Sequence, residues 1–253
     1  MVDLHASLKQ LAIRFHISHG ITVCNVQNAA VGTTVAEKIL YSLVDKKTVL
    51  YLSGGSTPRT LYTFMAKHEN LQAGAVGLVD ERYGEKFHKD SNELMIQKSQ
   101  LLRYLHMLDV PFYPILGTYK DRQECADAYD EKMRELNAIF PKSISILGIG
   151  ADGHISSIAP NTKSFTNPMF DRTQQSLLVS AFDDPERFYG ERVGMTFTGL
   201  SMMDVHIVLI FGDSKRDALD AVFTSGSEED IPARFLTRPD IAKRTLFITD
   251  QNV

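Results

Sequence analysis

The chain of 253 residues has no tryptophan and only two cysteines, Cys24 and Cys125, with no C-x-x-C spacing. That scarcity excludes a disulfide framework and a thiolate metal site, and makes a reducing cytoplasm the expected compartment. Long apolar runs are missing as well. Nothing approaches the roughly 18 residues of a membrane span, and the opening MVDLHASLKQLAIRFH lacks the apolar stretch of a signal peptide. Neither sign of charge dominates: the formal net charge is −4, so neither nucleic acid nor an anionic membrane is the expected partner. A local basic cleft for a small anion is compatible with that net charge. No H-E-x-x-H or other metal-ligand spacing occurs, and no metal or cofactor is expected.

What is present is ordinary globular composition, 43% hydrophobic and 23% charged. Short apolar runs rich in β-branched residues recur at 21–26 (ITVCNV), 48–52 (TVLYL), 75–79 (AVGLV), 143–147 (SISIL), 176–181 (SLLVSA), 205–211 (VHIVLIF) and 245–249 (TLFIT). Their length and composition predict buried strands. Between them lie helical patterns: Val35, Ile39, Leu40 and Leu43 share one face, residues 121–140 form a longer amphipathic stretch, and Asp213-Ser214-Lys215 opens a helix burying Ala218, Leu219 and Val222. Strand–helix alternation predicts one α/β domain over residues 1–253, a mostly parallel sheet with helices on both faces. No internal repeat or low-complexity segment appears, and TSGSEEDIP (224–232) reads as a surface loop.

In such sheets ligands bind beyond the carboxyl ends of the strands, which selects four loops. The first is Ser53-Gly54-Gly55-Ser56-Thr57-Pro58 before a helical segment. Its glycines and hydroxyls at a helix N-terminus suit a phosphate, although it lacks the G-K-[ST] of a Walker A loop. The plainer alternative is a capped turn, with Ser56 or Thr57 as N-cap and Pro58 in the first turn. The second is Asp80-Glu81-Arg82, whose guanidinium fork suits phosphate and whose carboxylates suit either that arginine or a sugar hydroxyl. The fourth is Gly212-Asp213-Ser214-Lys215, where a lysine in a first helical turn opposes the helix dipole and suggests an anion nearby. Arg192 is a further basic candidate, with pairing to Glu186 or Glu191 as the alternative.

The third loop, Gly148-Ile149-Gly150-Ala151-Asp152-Gly153, matches the G-x-G-x-x-G dinucleotide pattern. Asp152 would meet a pyrophosphate with a like charge, and no strand precedes Asp171 where a ribose-binding acid belongs. The glycines are better read as a tight turn presenting Asp152 and His154, an acid–base pair.

Taken together, LSGGSTPRTLY (52–62), VDERYGEKFHKDSN (79–92), LGIGADGHISSIAP (147–160), RVGMTF (192–197), GDSKRDAL (212–219) and TLFITD (245–250) resemble the 6-phosphogluconolactonase family, which is grouped with glucosamine-6-phosphate deaminases/isomerases. The resemblance implies a modified Rossmann-like fold, a sugar 6-phosphate ligand without nucleotide, and hydrolysis of 6-phosphoglucono-δ-lactone. Deaminases carry D-E-Y where this chain has Asp80-Glu81-Arg82, and a glutamate where it has Ala159 before Pro160. Both differences favour the lactonase over the deaminase; a non-catalytic sugar-phosphate sensor is the third reading. The segment Tyr83-Gly84-Glu85-Lys86-Phe87 and the residue Glu93 depart from the lactonase pattern and bear on substrate fit. The expected roles are His154 as general base oriented by Asp152, and Arg82, Arg192 and Lys215 as phosphate ligands. Ser53, Gly54, Gly55, Ser56 and Thr57 assist them, with Asp80 in the same site. No G-x-S-x-G elbow supports covalent catalysis. Oligomeric state is not legible from these patterns.

Overall fold

The computed structural model describes residues 3–69, 71–160, 176–183 and 190–253. In chain order the elements are α1 (Leu4–Gln10), β1 (His16–Ser18), β2 (Ile21–Asn25), α2 (Ala29–Leu43), β3 (Thr48–Leu52), α3 (Ser56–His68), β4 (Ala75–Leu78) and β5 (Asp80–Arg82). There follow α4 (Asn92–Lys98), α5 (Leu101–Met107), β6 (Phe112–Tyr113), α6 (Arg122–Ile139) and β7 (Lys142–Gly148). The last part holds β8 (Val179–Asp183), β9 (Glu191–Met195), α7 (Phe197–Ser201), β10 (Val205–Ile210), α8 (Arg216–Phe223), α9 (Pro239–Ala242) and β11 (Thr245–Thr249).

Eight strands form one sheet in the order β1-β2-β11-β10-β7-β3-β4-β6. Every pairing in it is parallel except β1 with β2. The strands β3, β10 and β11 are buried along their whole length, as a parallel sheet covered on both faces requires. From β3 the chain moves through β4 toward β6; from β7 it moves through β10 toward β11. With right-handed crossovers, that reversal covers one face with α2 and α3 and the other with α6 and α8. Accordingly α2 packs on α3, while the Tyr51 hydroxyl donates to Asn137 Oδ1 on α6. The crevice between the carboxyl ends of β3 and β7 is therefore the topological switch point, where ligands bind in open α/β sheets.

A second sheet, β5-β9-β8, is antiparallel and was not expected from the sequence. Asp80-Glu81-Arg82 is a strand rather than a loop, and 176–181 supplies β8 of this small sheet rather than a strand of the parallel one. The junction is Val79. Its N–H donates to Leu52 O of the large sheet, and its C=O accepts from Met195 N of the small one, at 2.9 and 2.8 Å. One residue thus belongs to both sheets, and β5 leaves β4 without an intervening loop. The pairing sets Arg82 directly opposite Arg192.

Helix boundaries follow local chemistry. α2 starts six residues before the periodic pattern at Val35, because the Asn28 side chain accepts from Val31 N and caps the helix. α6 begins after Asp121, whose side chain accepts from Glu124 N. α8 buries Ala218, Leu219 and Val222 as expected, after a 3-10 turn at Asp213–Lys215. No helix among the described residues is long and apolar enough to cross a membrane.

Two buried polar groups hold this framework. β6 is only two residues long, so Leu78 at the end of β4 has no strand partner on that side. The Tyr129 hydroxyl of α6 replaces one: it accepts from Leu78 N at 2.6 Å and donates to Leu78 O at 2.8 Å. Glu81 is fully buried in β5, and its carboxylate accepts from the backbone N–H groups of Arg82, Asn92 and Glu93. It ties the small sheet to the first turn of α4. Burial, partly offset by those N–H bonds, pushes its acid constant up to about 7 from the ordinary 4.5.

Tyr129→Phe leaves both Leu78 groups buried without a partner, and is expected to cost about 1–3 kcal/mol in urea denaturation; unchanged stability would reject the bridging role. Between about 4.5 and about 7 the folded state retains the Glu81 proton that the unfolded chain has released, so stability falls as pH rises through that window. Melting temperatures of the unaltered chain should decline across it, and Glu81→Gln should lose that component of the decline. Equal slopes for the two proteins would refute the assignment.

Candidate active site

At the carboxyl ends of β3 and β7 lies a pocket of about 250 Å³ that gathers residues from every selected loop. Ser53, Gly54, Gly55, Ser56 and Thr57 line it from the β3–α3 connection, Asp80 and Arg82 from β5. His154 enters from the β7 loop, Arg192 from β9 and Lys215 from the turn before α8. Of the expected site residues only Asp152 stands behind this lining, where it contacts His154 instead.

The β3–α3 loop is not a side-chain-capped turn. Gly55, with φ 107°, occupies the N-cap position, and no side chain caps the helix; Ser56 and Thr57 are already helical, with Pro58 third in the helix. The N–H groups of the first turn therefore open on the pocket, as an anion site requires. The Ser53 hydroxyl is buried and makes no hydrogen bond among the described residues, so it is a further polar group suited to a ligand. Gly54 is needed for another reason: a Cβ there would sit 1.9 Å from Asn92 Oδ1.

Asn92 was not among the expected site residues, although it belongs to the matched DSN segment. Its Oδ1 accepts from Arg82 Nη1 at 2.5 Å, and its amide donates to Asp80 O at 2.8 Å. Arg82 Nη1 also donates to Asp90 O at 3.2 Å. The guanidinium is thus aimed by an amide and a carbonyl, and not by the Asp80 or Glu81 carboxylates suggested from sequence. Glu81 is committed to backbone N–H groups and does not line the pocket. Arg192 is buried; its neighbour Glu191 pairs instead with Arg122 at 3.7 Å. Glu186 lies outside the described residues.

After β7 the chain turns tightly, with Gly153 N donating to Gly150 O and Gly150 N to His154 O. His154 Nδ1 lies 2.5 Å from Asp152 Oδ1. A carboxylate accepts only, so Nδ1 is the donor, and in the neutral ring Nε2 carries the lone pair. A Cβ at Gly150 would sit 1.8 Å from His154 Nδ1, which is why this turn needs glycine. In a dinucleotide site the third glycine opens a helix; here Ile155 and Ile158 form an isolated bridge instead. Asp171, the position weighed for a ribose, lies outside the described residues.

That bridge encloses Ser156 and Ser157, both with positive φ, 52° and 58°. Non-glycine residues in this region carry strain that surrounding contacts must offset. The contact is visible: the Ser157 hydroxyl donates to Asp80 Oδ2, tying the histidine loop to β5. Both serines line the pocket. Serine has no marked preference for left-handed backbone, so no local signal pointed to them.

Among the described residues, no group of three histidine, cysteine or carboxylate side chains is placed to hold a metal. The site combines a histidine with an oriented lone pair, three cationic side chains and an open helix N-terminus. Such an arrangement can bind a phosphorylated ligand and move a proton beside it.

Comparison with known proteins agrees in kind. Residues 26–246 match the family described as glucosamine-6-phosphate isomerases/6-phosphogluconolactonase. A 6-phosphogluconolactonase of Synechocystis is 29% identical over 198 residues, 73% of this chain and 75% of that protein. A glucosamine-6-phosphate deaminase of Lactobacillus johnsonii is 30% identical over 221 residues, 83% and 87% of the two chains. In fold the chain is similar to a 6-phosphogluconolactonase from Plasmodium vivax, with TM-score 0.75 at 19% identity over 100% of this chain and 97% of that one. A 6-phosphogluconolactonase from Trypanosoma cruzi gives TM-score 0.72 at 24% identity, covering 92% and 96%. With a family match over most of its length, this chain belongs to the glucosamine-6-phosphate isomerase/6-phosphogluconolactonase family.

Proposed function

We propose that this chain hydrolyses 6-phosphoglucono-δ-lactone to 6-phosphogluconate, with His154 as general base. The observation that carries this reading is the Asp152–His154 hydrogen bond at the edge of a pocket lined by Arg82, Arg192 and Lys215. The phosphate is held by those cations and by the first turn of α3, with Ser53, Ser56 and Thr57 as hydroxyl donors. Arginine forks suit its oxygens. His154 Nε2 takes a proton from water as the water oxygen attacks the lactone carbonyl. Backbone N–H groups of the glycine loops are the available donors for the developing oxyanion. The bond from the carbonyl carbon to the ring oxygen then breaks, and the imidazolium returns the proton to that oxygen. Asp152 fixes the tautomer and holds the ring in place through both steps.

The deaminase reading has one specific support, the deaminase relative at 30% identity. Against it, the residue before Pro160 is the buried Ala159, which moves no proton. Among the described residues the only carboxylate lining the pocket is Asp80, and it accepts from Ser157. For the compartment, we infer the cytoplasm: Cys24 and Cys125 are buried and free, with no disulfide between them, as suits reducing surroundings.

The test is formation of 6-phosphogluconate from freshly made lactone, against the spontaneous rate. His154→Ala should lower kcat by about 10²–10⁴-fold, and a loss below about threefold would remove the base assignment. Lys215→Ala should instead raise KM and erode the preference for phosphorylated over unphosphorylated lactone; an unchanged preference would reject its phosphate role. Ammonia release from glucosamine 6-phosphate without lactone turnover would favour the deaminase. Binding of 6-phosphogluconate with neither activity would favour a sensor.

A further inference from the structure

Arg82 and Arg192 have a second side. Beyond them lies another basin of about 580 Å³, which shares these two arginines, Gly55 and Ser56 with the catalytic pocket. Its outer wall brings Arg59 from α3, Lys89 from the segment before α4 and Lys98 from the end of α4. Among the described residues, five cationic side chains line the basin against one carboxylate, Asp90, in a chain whose net charge is −4. The side chains of Arg59 and Lys98 are exposed and make no hydrogen bond or ion pair among the described residues.

This concentration of charge needs an explanation. Like charges directly opposite across a strand pair destabilise it, and Arg82 faces Arg192 in that register. The sugar-phosphate reading accounts for the two arginines and Lys215, but Arg59 and Lys98 do not line the catalytic pocket. A cleft walled by one sign of charge concentrates counter-ions, and this one has the size of a small-molecule site. Leu94 and Met95 form an apolar flank beside the cations.

We propose that this outer basin binds a diphosphate group, carried by free pyrophosphate or by a nucleoside diphosphate. A diphosphate carries more negative charge than one phosphate ester and can engage the shared arginines and the Arg59/Lys98 wall together. Because Arg82 and Arg192 serve both basins, the bound diphosphate competes with the sugar phosphate. The competition, though not the binding, rests on the function proposed above.

The experiment is calorimetric titration of the full chain with pyrophosphate, ADP and orthophosphate, beside the double variant Arg59→Ala/Lys98→Ala. Both substituted side chains are exposed, and equal melting temperatures would verify folding. The double variant should bind pyrophosphate about tenfold or more weakly, while orthophosphate affinity and kcat/KM for the lactone stay within about twofold. In the unaltered protein pyrophosphate should raise KM and leave kcat unchanged. Tighter binding of ADP than of pyrophosphate assigns the nucleotide as source, through Leu94 and Met95; equal or weaker binding assigns the free condensed phosphate. Pyrophosphate binding that is unaltered by the double substitution, or no tighter than orthophosphate, overturns the proposal. Should the unaltered chain turn over no lactone yet lose pyrophosphate on the double substitution, the function assigned above fails and the basin stands.

Discussion

The backbone of Val79 is the joint on which this structure turns. Its N–H is satisfied by the parallel sheet and its C=O by the antiparallel one, so the chain passes from β4 to β5 with no buried backbone group left over. Everything chemical beyond it follows from that passage. The strand continues far enough to carry Asp80 and Arg82 over the carboxyl ends of β3 and β7. It also pairs with β9, which delivers Arg192 to the same mouth. Without the joint, Arg82 and Arg192 would occupy unrelated loops.

Around that joint the polar side chains divide their work. Glu81 holds backbone, anchoring α4. Asn92, at the start of α4, holds Arg82 and packs against Gly54. Asp80 receives Ser157 and so couples β5 to the loop bearing His154. Asp152 orients His154 from behind. Arg82, Arg192 and Lys215 line the pocket while these carboxylates are engaged by protein donors. An acidic chain thereby keeps a basic mouth.

Much of this was legible beforehand. The central strands announce themselves as short apolar runs because both their faces are buried. Residues 122–139 and 216–223 show helical spacing because only one face of each is covered. The loops could be chosen because ligands gather at one end of such sheets, and their chemistry named His154, Arg82, Arg192 and Lys215. The short strands β5 and β9 stayed hidden for a physical reason. They are short and rich in charged residues, and their pairing partners lie over a hundred positions apart, so no local period marks them. Asn92, Ser156 and Ser157 were missed because their roles depend on contacts with other segments of the chain rather than on their immediate neighbours. The capping alternative for Ser56 and Thr57 was local reasoning that the path of Gly55 overrode.

By itself, then, the sequence determined the parallel core, its connecting helices and the residue types that meet at the sheet's end, since burial and helical periodicity are properties of short stretches. Tertiary structure alone decided that Arg82 faces Arg192, that Asn92 rather than an adjacent carboxylate aims Arg82, and that the helix at Ser56 opens uncapped at the pocket. Each of those depends on hydrogen bonds or close approaches between segments far apart in the chain, which no local pattern encodes.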